Sequence, residues 1–238
     1  MMCTGRVDLA FILRSFYDRA DGVYIAGCRL DECKYITQGN YHALNLVLLS
    51  KRLMEHIGLN PERLRIEFMS SAEGGRFAET VNDFVKKVRA IGPCGESEGL
   101  QQGELTSRLK HLMTLIPYFK IAKREKLASR LKDPKAWDEL FTREEIETLF
   151  REIPSYYIEP EKCQACMTCA RRCPVEAIRS GKNLIHIIEQ EKCIRCGTCL
   201  EVCPSRFGAV TKIVGGPVPP PLPEEKRAII RKAKEKGD

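Results

Sequence analysis

The chain has 238 residues, a formal charge of +7 and 12 cysteines. Such a length holds one or two domains with real cores. No segment reaches the roughly 18 uncharged apolar residues that a membrane span requires, and the start, MMCTGRVDLAF, has no basic region leading into a long apolar stretch. The expectation is therefore a cytoplasmic protein with no membrane span, rather than a small secreted disulfide scaffold.

Residues 1–95 alternate helix and strand. Asp8 is placed to cap a helix over 9–19, whose Leu9, Phe11, Ile12 and Phe16 recur at helical spacing. Asp21-Gly22 turns the chain into Val23-Tyr24-Ile25-Ala26, an apolar run of buried-strand type. A Leu-rich helix is predicted over 40–57 with Gly58 as its stop; 64–69 alternates as a strand, and 72–91 reads as a third helix. This order with short connections predicts an α/β domain, a parallel sheet with flanking helices on both faces. Every strand-to-helix loop then falls on one edge, where open α/β folds bind ligands. Cys28 and Cys33 follow the first strand, Ser70-Ser71 follow the second, and Cys3 precedes the first helix. A structural thiol more often sits inside a helix or strand, so Cys3, Cys28 and Cys33 point to metal or redox chemistry.

Residues 96–155 read as a helical connector without metal ligands. A helix is predicted over 104–130, broken at Pro117. Asp133-Pro134 opens another through Phe141, and the capping box Thr142-x-x-Glu145 opens a third through Arg151. Their apolar face, with Leu112, Phe119, Leu127, Trp137 and Leu149, is expected to pack against the following module or a partner subunit. His42, His56, His111 and His186 each stand alone and read as structural.

Residues 156–213 are an internal repeat in which Cys193 falls 30 positions after Cys163. Its halves read Cys163-x2-Cys166-x2-Cys169-x3-Cys173-Pro174 and Cys193-x2-Cys196-x2-Cys199-x3-Cys203-Pro204. This is the ligand pattern of bacterial-type ferredoxins with two 4Fe–4S clusters, where the fourth cysteine of each run ligates the other cluster. One cluster is thus assigned to Cys163, Cys166, Cys169 and Cys203, the other to Cys193, Cys196, Cys199 and Cys173. A zinc ribbon uses two pairs separated by a longer loop. Each half is predicted to have an extended entry (156–159 and 184–188), a cluster loop and a short helical turn after the Cys-Pro, making a small α+β ferredoxin-like domain. Val175, Ala177, Ile178, Ile185, Ile187, Ala209 and Val210 are its expected apolar shell. Two oxidised clusters with their thiolates bring the charge to roughly +3, which gives no reason to expect nucleic acid. Residues 214–238 are a Pro-rich arm, extended at 215–221, and a basic tail read as a solvated helix or frayed end.

The segments CTGRVD, GCRLDECKYITQGNYHA and RLRIEFMSSAEGGRFAE, spread over residues 2–93, resemble the delta subunit of methyl-viologen-reducing hydrogenase; GCxxxxC followed closely by GNYxA is distinctive. The resemblance implies an α/β domain with one 2Fe–2S cluster, passing electrons from a hydrogenase or formate dehydrogenase to an HdrA-like flavoprotein subunit of heterodisulfide reductase. Carried over by position, Cys3, Cys28 and Cys33 are its ligands. A 2Fe–2S cluster takes four, so the set is incomplete; Cys94, in the loop after the third helix, is a less favoured substitute than a missing N-terminal element. Members of this family begin with a further strand and helix bearing a CCxWC-type motif, in some with selenocysteine. This chain starts Met1-Met2-Cys3, so the expectation is a reading frame opened too late.

Together these readings describe an electron-transfer subunit of an oxidoreductase complex without substrate chemistry of its own. A rival makes the chain a disulfide reductase using Cys28 and Cys33, fed by the 4Fe–4S clusters; a redox dithiol usually reads C-x-x-C at a helix N-terminus, and here four residues intervene. A third reading is a scaffold whose N-terminal site has been lost.

Overall fold

Asp8 opens the first helix, Leu9–Tyr17 (α1), by accepting a hydrogen bond from the Ala10 N–H at 2.9 Å. The chain continues through strand Val23–Gly27 (β1), helix Asn40–His56 (α2), strand Leu64–Phe68 (β2) and helix Gly74–Ile91 (α3). The structure is a computed structural model and describes residues 3–35 and 39–228. β1 and β2 pair in parallel, from Val23 opposite Leu64 to Gly27 opposite Phe68, so both strands end at one edge. Successive strand residues face opposite ways. Tyr24 points to α3, where its ring meets Phe77 and Phe84 and its hydroxyl lies 2.7 Å from that of Thr80. Ile25 is buried on the other side. α1 lies against β1 and α2 against β2, with Leu9, Leu13, Leu46 and Leu53 inaccessible to solvent.

Helices Gln102–Ala122 (α4), Arg124–Ala128 (α5), Trp137–Leu140 (α6) and Arg143–Arg151 (α7) follow. Two expectations are corrected here. The helix does not break at Pro117 but runs on to Ala122, and the break comes at Lys123, ahead of α5. Leu112, Leu115, Ile116 and Phe119 are buried on both sides of the proline; at ~1.5–3 kcal/mol each, their burial exceeds the ~3 kcal/mol an internal proline costs. Nor does the apolar face wait for the cysteine-rich module or a partner, because it packs on α1 and α2. Asn45 fastens it, its Nδ2 donating to the carbonyls of Lys126, Leu127 and Ser129. Thr142 accepts from the Glu145 N–H at 3.2 Å, but the Glu145 carboxylate turns to Lys123 and Lys126 instead of completing the capping box. Residues 1–150 form one unit and 151–238 another.

The second unit is built twice over. Strand Pro154–Ile158 (β3), helix Thr168–Arg172 (α8) and strand Ile178–Gly181 (β4) are followed by strand Leu184–Ile188 (β5), helix Thr198–Val202 (α9) and strand Val210–Val214 (β6). The entry strand of each half pairs antiparallel with the exit strand of the other, Ile158 facing Val210 and Ile188 facing Ile178. The helical turns precede the Cys-Pro steps rather than follow them. A residue before proline is driven out of the helical region, and Cys173 and Cys203, with ψ of 117° and 122°, end α8 and α9. Val175, expected in the shell, is 38% exposed on the turn after Pro174. Ala177, Ile178, Ala209 and Val210 are buried, and Tyr156, Ile158 and Ile188 join them around the cysteines.

The last segment is also corrected. Residues 217–223 form neither helix nor strand, but the chain beyond them is anchored as far as Ala228. Arg227 is 1% exposed and donates to the carbonyls of Ile185 at 2.9 Å and Arg179 at 3.1 Å, while its own carbonyl accepts from the Ile185 N–H at 2.7 Å. The rest of the expected tail lies outside the described residues. Among the described residues no helix is long and apolar enough to cross a membrane.

Candidate metal centres

Each Cys-x-x-Cys-x-x-Cys loop is shaped by left-handed residues at matching places: Ala165 (φ 50°) and Met167 (φ 65°) in the first, Arg195 (φ 59°) and Gly197 (φ 83°) in the second. Three of them carry side chains, for which this conformation costs ~1–3 kcal/mol each and marks functional sites. The turns aim successive N–H groups into the loop, forming an anion-binding nest. Backbone N–H groups of Thr168, Ala170, Arg195 and Leu200 reach the sulfurs of Cys166, Cys169, Cys193 and Cys199. Ala177 N–H donates to Cys173 Sγ at 3.2 Å.

The cysteines of the two runs are interleaved. Cys169 interacts with Cys163, Cys166 and Cys203, and Cys193 with Cys196 and Cys173. The fourth cysteine of each run thus stands with the first three of the other. Burial, reinforced by neighbouring cysteines, pushes the thiols of Cys169 and Cys199 up to about 11 and about 12. Sulfurs this basic keep their protons at neutral pH unless metal takes the proton's place. Buried thiols in nests of N–H donors are a donor set that fits a metal–sulfur cluster.

Two side chains line these sulfurs. His186 is 1% exposed, with Nδ1 3.4 Å from Cys169 Sγ and Nε2 without a hydrogen-bond partner. Burial, and then the Arg227 charge, hold its pKa below the usual histidine value. Tyr156 lies by Cys199, Cys196 and Cys193. Its hydroxyl sits over Gly197, where a Cβ would stand 2.9 Å away. The other expected structural histidines whose contacts are resolved do pack as such: His42 Nδ1 lies 3.1 Å from the Leu127 carbonyl and His56 stacks on Phe150.

At the C-terminal edge of β1 and β2, Cys3, Cys28 and Cys33 come together on an open cavity of about 640 Å³, which Ser70, Glu73 and Phe77 also line. Cys28 and Cys3 stand beside Cys33 and help to lower its thiol pKa. Against the burial that would raise it, the backbone N–H groups of Tyr35 and Asn40 hold the Cys33 thiol below its ordinary range; burial, and then Cys33, raise Cys28. Gly39 leaves the necessary room, since a Cβ there would lie 2.4 Å from Cys33 Sγ. Among the described residues no three such groups close around a single ion, at this edge or among the eight cysteines of the second unit.

Three further residues hold this edge, and no local sequence pattern gave their roles. Buried Asn40 donates to the carbonyls of Cys28 at 3.1 Å and Arg29 at 2.6 Å. Thr4 donates to the Ala26 carbonyl at 2.9 Å. Glu73 accepts from Arg29 and from the Ser70 N–H, which hold its carboxyl at about 2. Cys94 does not belong here. Its N–H donates to Asp21 at 2.8 Å, before β1 begins, and the five residues of β1, at about 3.3 Å each, separate it from Cys28.

Fold and site define an iron–sulfur protein: an α/β unit with thiols at its sheet edge, joined to a cysteine-rich unit of doubled design. Residues 1–92 match the family described as methyl-viologen-reducing hydrogenase, delta subunit, and residues 155–204 match the 4Fe–4S dicluster domain. The vhu iron–sulfur subunit of the F420-non-reducing hydrogenase of Methanopyrus kandleri is 38% identical over 91 residues, covering 38% of this chain and 68% of that protein. Its counterpart in Archaeoglobus profundus, an F420-non-reducing hydrogenase iron–sulfur subunit, is 42% identical over 91 residues, 38% of this chain and 66% of the relative. The HdrA-type subunit of the ferredoxin/F420H2-dependent CoB–CoM heterodisulfide reductase of Methanosarcina acetivorans is 48% identical over 94 residues, which are 40% of this chain but 12% of that one. The chain belongs to the methyl-viologen-reducing hydrogenase delta subunit family and carries a 4Fe–4S dicluster domain behind the family domain.

Proposed function

We propose that the chain is the electron-transfer subunit of a cytoplasmic heterodisulfide reductase-type complex, relaying electrons between a hydrogenase or formate dehydrogenase and an HdrA-like flavoprotein subunit. Cys163, Cys166, Cys169 and Cys203 hold one 4Fe–4S cluster, and Cys193, Cys196, Cys199 and Cys173 hold a second. The observation that carries this reading is the interleaving of the two cysteine runs inside one small core. When bound, such clusters supply one-electron transfer at potentials tuned by hydrogen bonds to sulfur and by solvent exposure. Tyr156, Ile158, Ile178, Ile188 and Val210 exclude water from the sulfurs, and the inward N–H groups offset their charge. Relatives named for a heterodisulfide reductase and for the iron–sulfur subunits of hydrogenases support partners of both kinds. Cys3, Cys28 and Cys33 supply three of the four donors a 2Fe–2S cluster takes, and a fourth donor must join them.

The test is spectroscopic. Under hydrogen with a hydrogenase partner, the anaerobic protein should lose its broad visible absorption, then regain it when an oxidised HdrA-like flavoprotein is added. A spectrum indifferent to both partners sinks the relay. The contact of Cys28 with a Cys33 thiol held below its ordinary range favours one second reading, a disulfide reductase. That reading predicts disulfide turnover that vanishes in Cys28→Ser and in Cys33→Ser.

A further inference from the structure

His186 and Tyr156 break the repeat at the place where it touches the sulfurs. They stand 30 residues apart, as Cys169 and Cys199 do. Each lies two residues before an isoleucine, Ile188 or Ile158, that closes the core against the opposite strand. The same position is filled by an imidazole beside one set of sulfurs and by a phenol beside the other. The imidazole reaches its sulfur at 3.4 Å, whereas the phenol passes over Gly197.

A cysteine that ligates metal has no S–H, so the hydrogen in the 3.4 Å contact comes from His186. Neutral imidazole has one N–H. Placed on Nε2, it would be buried without an acceptor, and the Nδ1 lone pair would face a thiolate. Placed on Nδ1, it makes a charge-assisted bond to sulfur and leaves only an acceptor without a partner. From outside, Arg227 fixes the strand, its side chain donating to the Ile185 carbonyl and its carbonyl accepting from the Ile185 N–H, next to His186.

We propose that His186 donates Nδ1–H to Cys169 and so sets the cluster of Cys163, Cys166, Cys169 and Cys203 at a higher reduction potential than its twin. The proposal rests on the ligand sets given above. Reduction adds one electron and with it negative charge on the sulfurs. A donor aimed at one of those sulfurs stabilises the reduced form more than the oxidised form, which raises the potential. His186 is a positioning and tuning residue, and it gives the pair of clusters a fixed downhill order.

Redox titration of the intact, anaerobically purified protein, followed by EPR and paired with iron counting, tests this. The two 4Fe–4S clusters of the wild type should titrate in two resolved one-electron steps. His186→Tyr, which copies the twin's residue, should lower the upper step by at least a tenfold change in oxidised-to-reduced ratio, about 59 mV for a one-electron couple. The lower step and the iron content should stay as they were. His186→Leu, which removes the donor outright, should do the same, so that loss of one variant to misfolding leaves the other. His186→Gln, which keeps an N–H, should restore part of the separation. If about eight irons are bound and the upper step of His186→Leu coincides with that of the wild type, His186 does not set the potential while the ligand sets stand. A wild type that binds no iron overturns both.

Discussion

In the C-terminal unit, six of the eight cysteines sit on two seven-residue loops, 163–169 and 193–199, and only Cys173 and Cys203 cross between the halves. In the N-terminal unit, Cys3, Cys28 and Cys33 come from segments on either side of α1 and β1. They meet only because Thr4 binds the end of β1 and Asn40 gathers the Cys28 loop. One site carries its geometry in local spacing and strained turns; the other exists only once its unit has folded. Damage to the N-terminal fold should therefore remove the trio and spare the clusters, whereas exchange between the halves should be the weak point of the second unit.

The largest effect is expected at that crossing. Cys203→Ser should empty the cluster of the first loop, not of its own, removing about four of about eight irons; loss of the second-loop cluster instead would refute the interleaved assignment. In the N-terminal unit, Arg63 is wholly buried and donates to Glu98 and to the carbonyls of Asp21, Gly92 and Pro93. Arg63→Ala leaves these unpaired and should destabilise that unit by ~3–5 kcal/mol. In a melt followed at two signals, far-ultraviolet dichroism should begin to fall earlier while the clusters' visible absorption holds its midpoint. A joint shift would show that the two units are not independent.

Smaller effects separate the two halves of the repeat. Gly197→Ala places a Cβ 2.9 Å from the Tyr156 hydroxyl at φ 83° and should cost ~1–3 kcal/mol. Met167→Gly, at the matching place, relieves the φ of 65° and should be neutral or stabilising by up to ~1 kcal/mol, read from denaturant midpoints. Smallest is a difference in labelling rate. In metal-free protein the Cys33 thiol lies below its ordinary range and Cys94 is raised by burial to about 11. Alkylation at Cys33 should therefore begin at a pH below that of a free cysteine, and Cys94 should stay inert near pH 8. Gly39→Ala, by displacing Cys33 from its N–H donors, should move the Cys33 profile to higher pH.

The same contrast explains what could be read from the amino-acid sequence. The two cysteine runs were legible because ligand spacing is local, and β1, β2 and α1 to α3 emerged within a few residues because their apolar periods are local too. Convergence of Cys3, Cys28 and Cys33 at a sheet edge followed from the helix–strand order. The course through Pro117 was not legible, because it depends on what Leu112 and Phe119 bury against. Arg227 looked like part of a solvated charge run until its carbonyl partners were in place. His186 looked solitary, although the 30-residue repeat set it opposite Tyr156 and its alternation with Ile188 turned it inward. Asn40 and Glu73 lie inside the segments that carry the resemblance, in GNYxA and in SSAEGG, but what they hold at the trio shows only in the folded contacts.

The most direct measurement is the iron and acid-labile sulfide content of the intact chain purified without oxygen. About eight of each is expected from two cubanes, rising to about ten if the trio also holds a 2Fe–2S cluster. A colourless protein carrying stoichiometric zinc, with no labile sulfide and no broad visible absorption, would contradict the account.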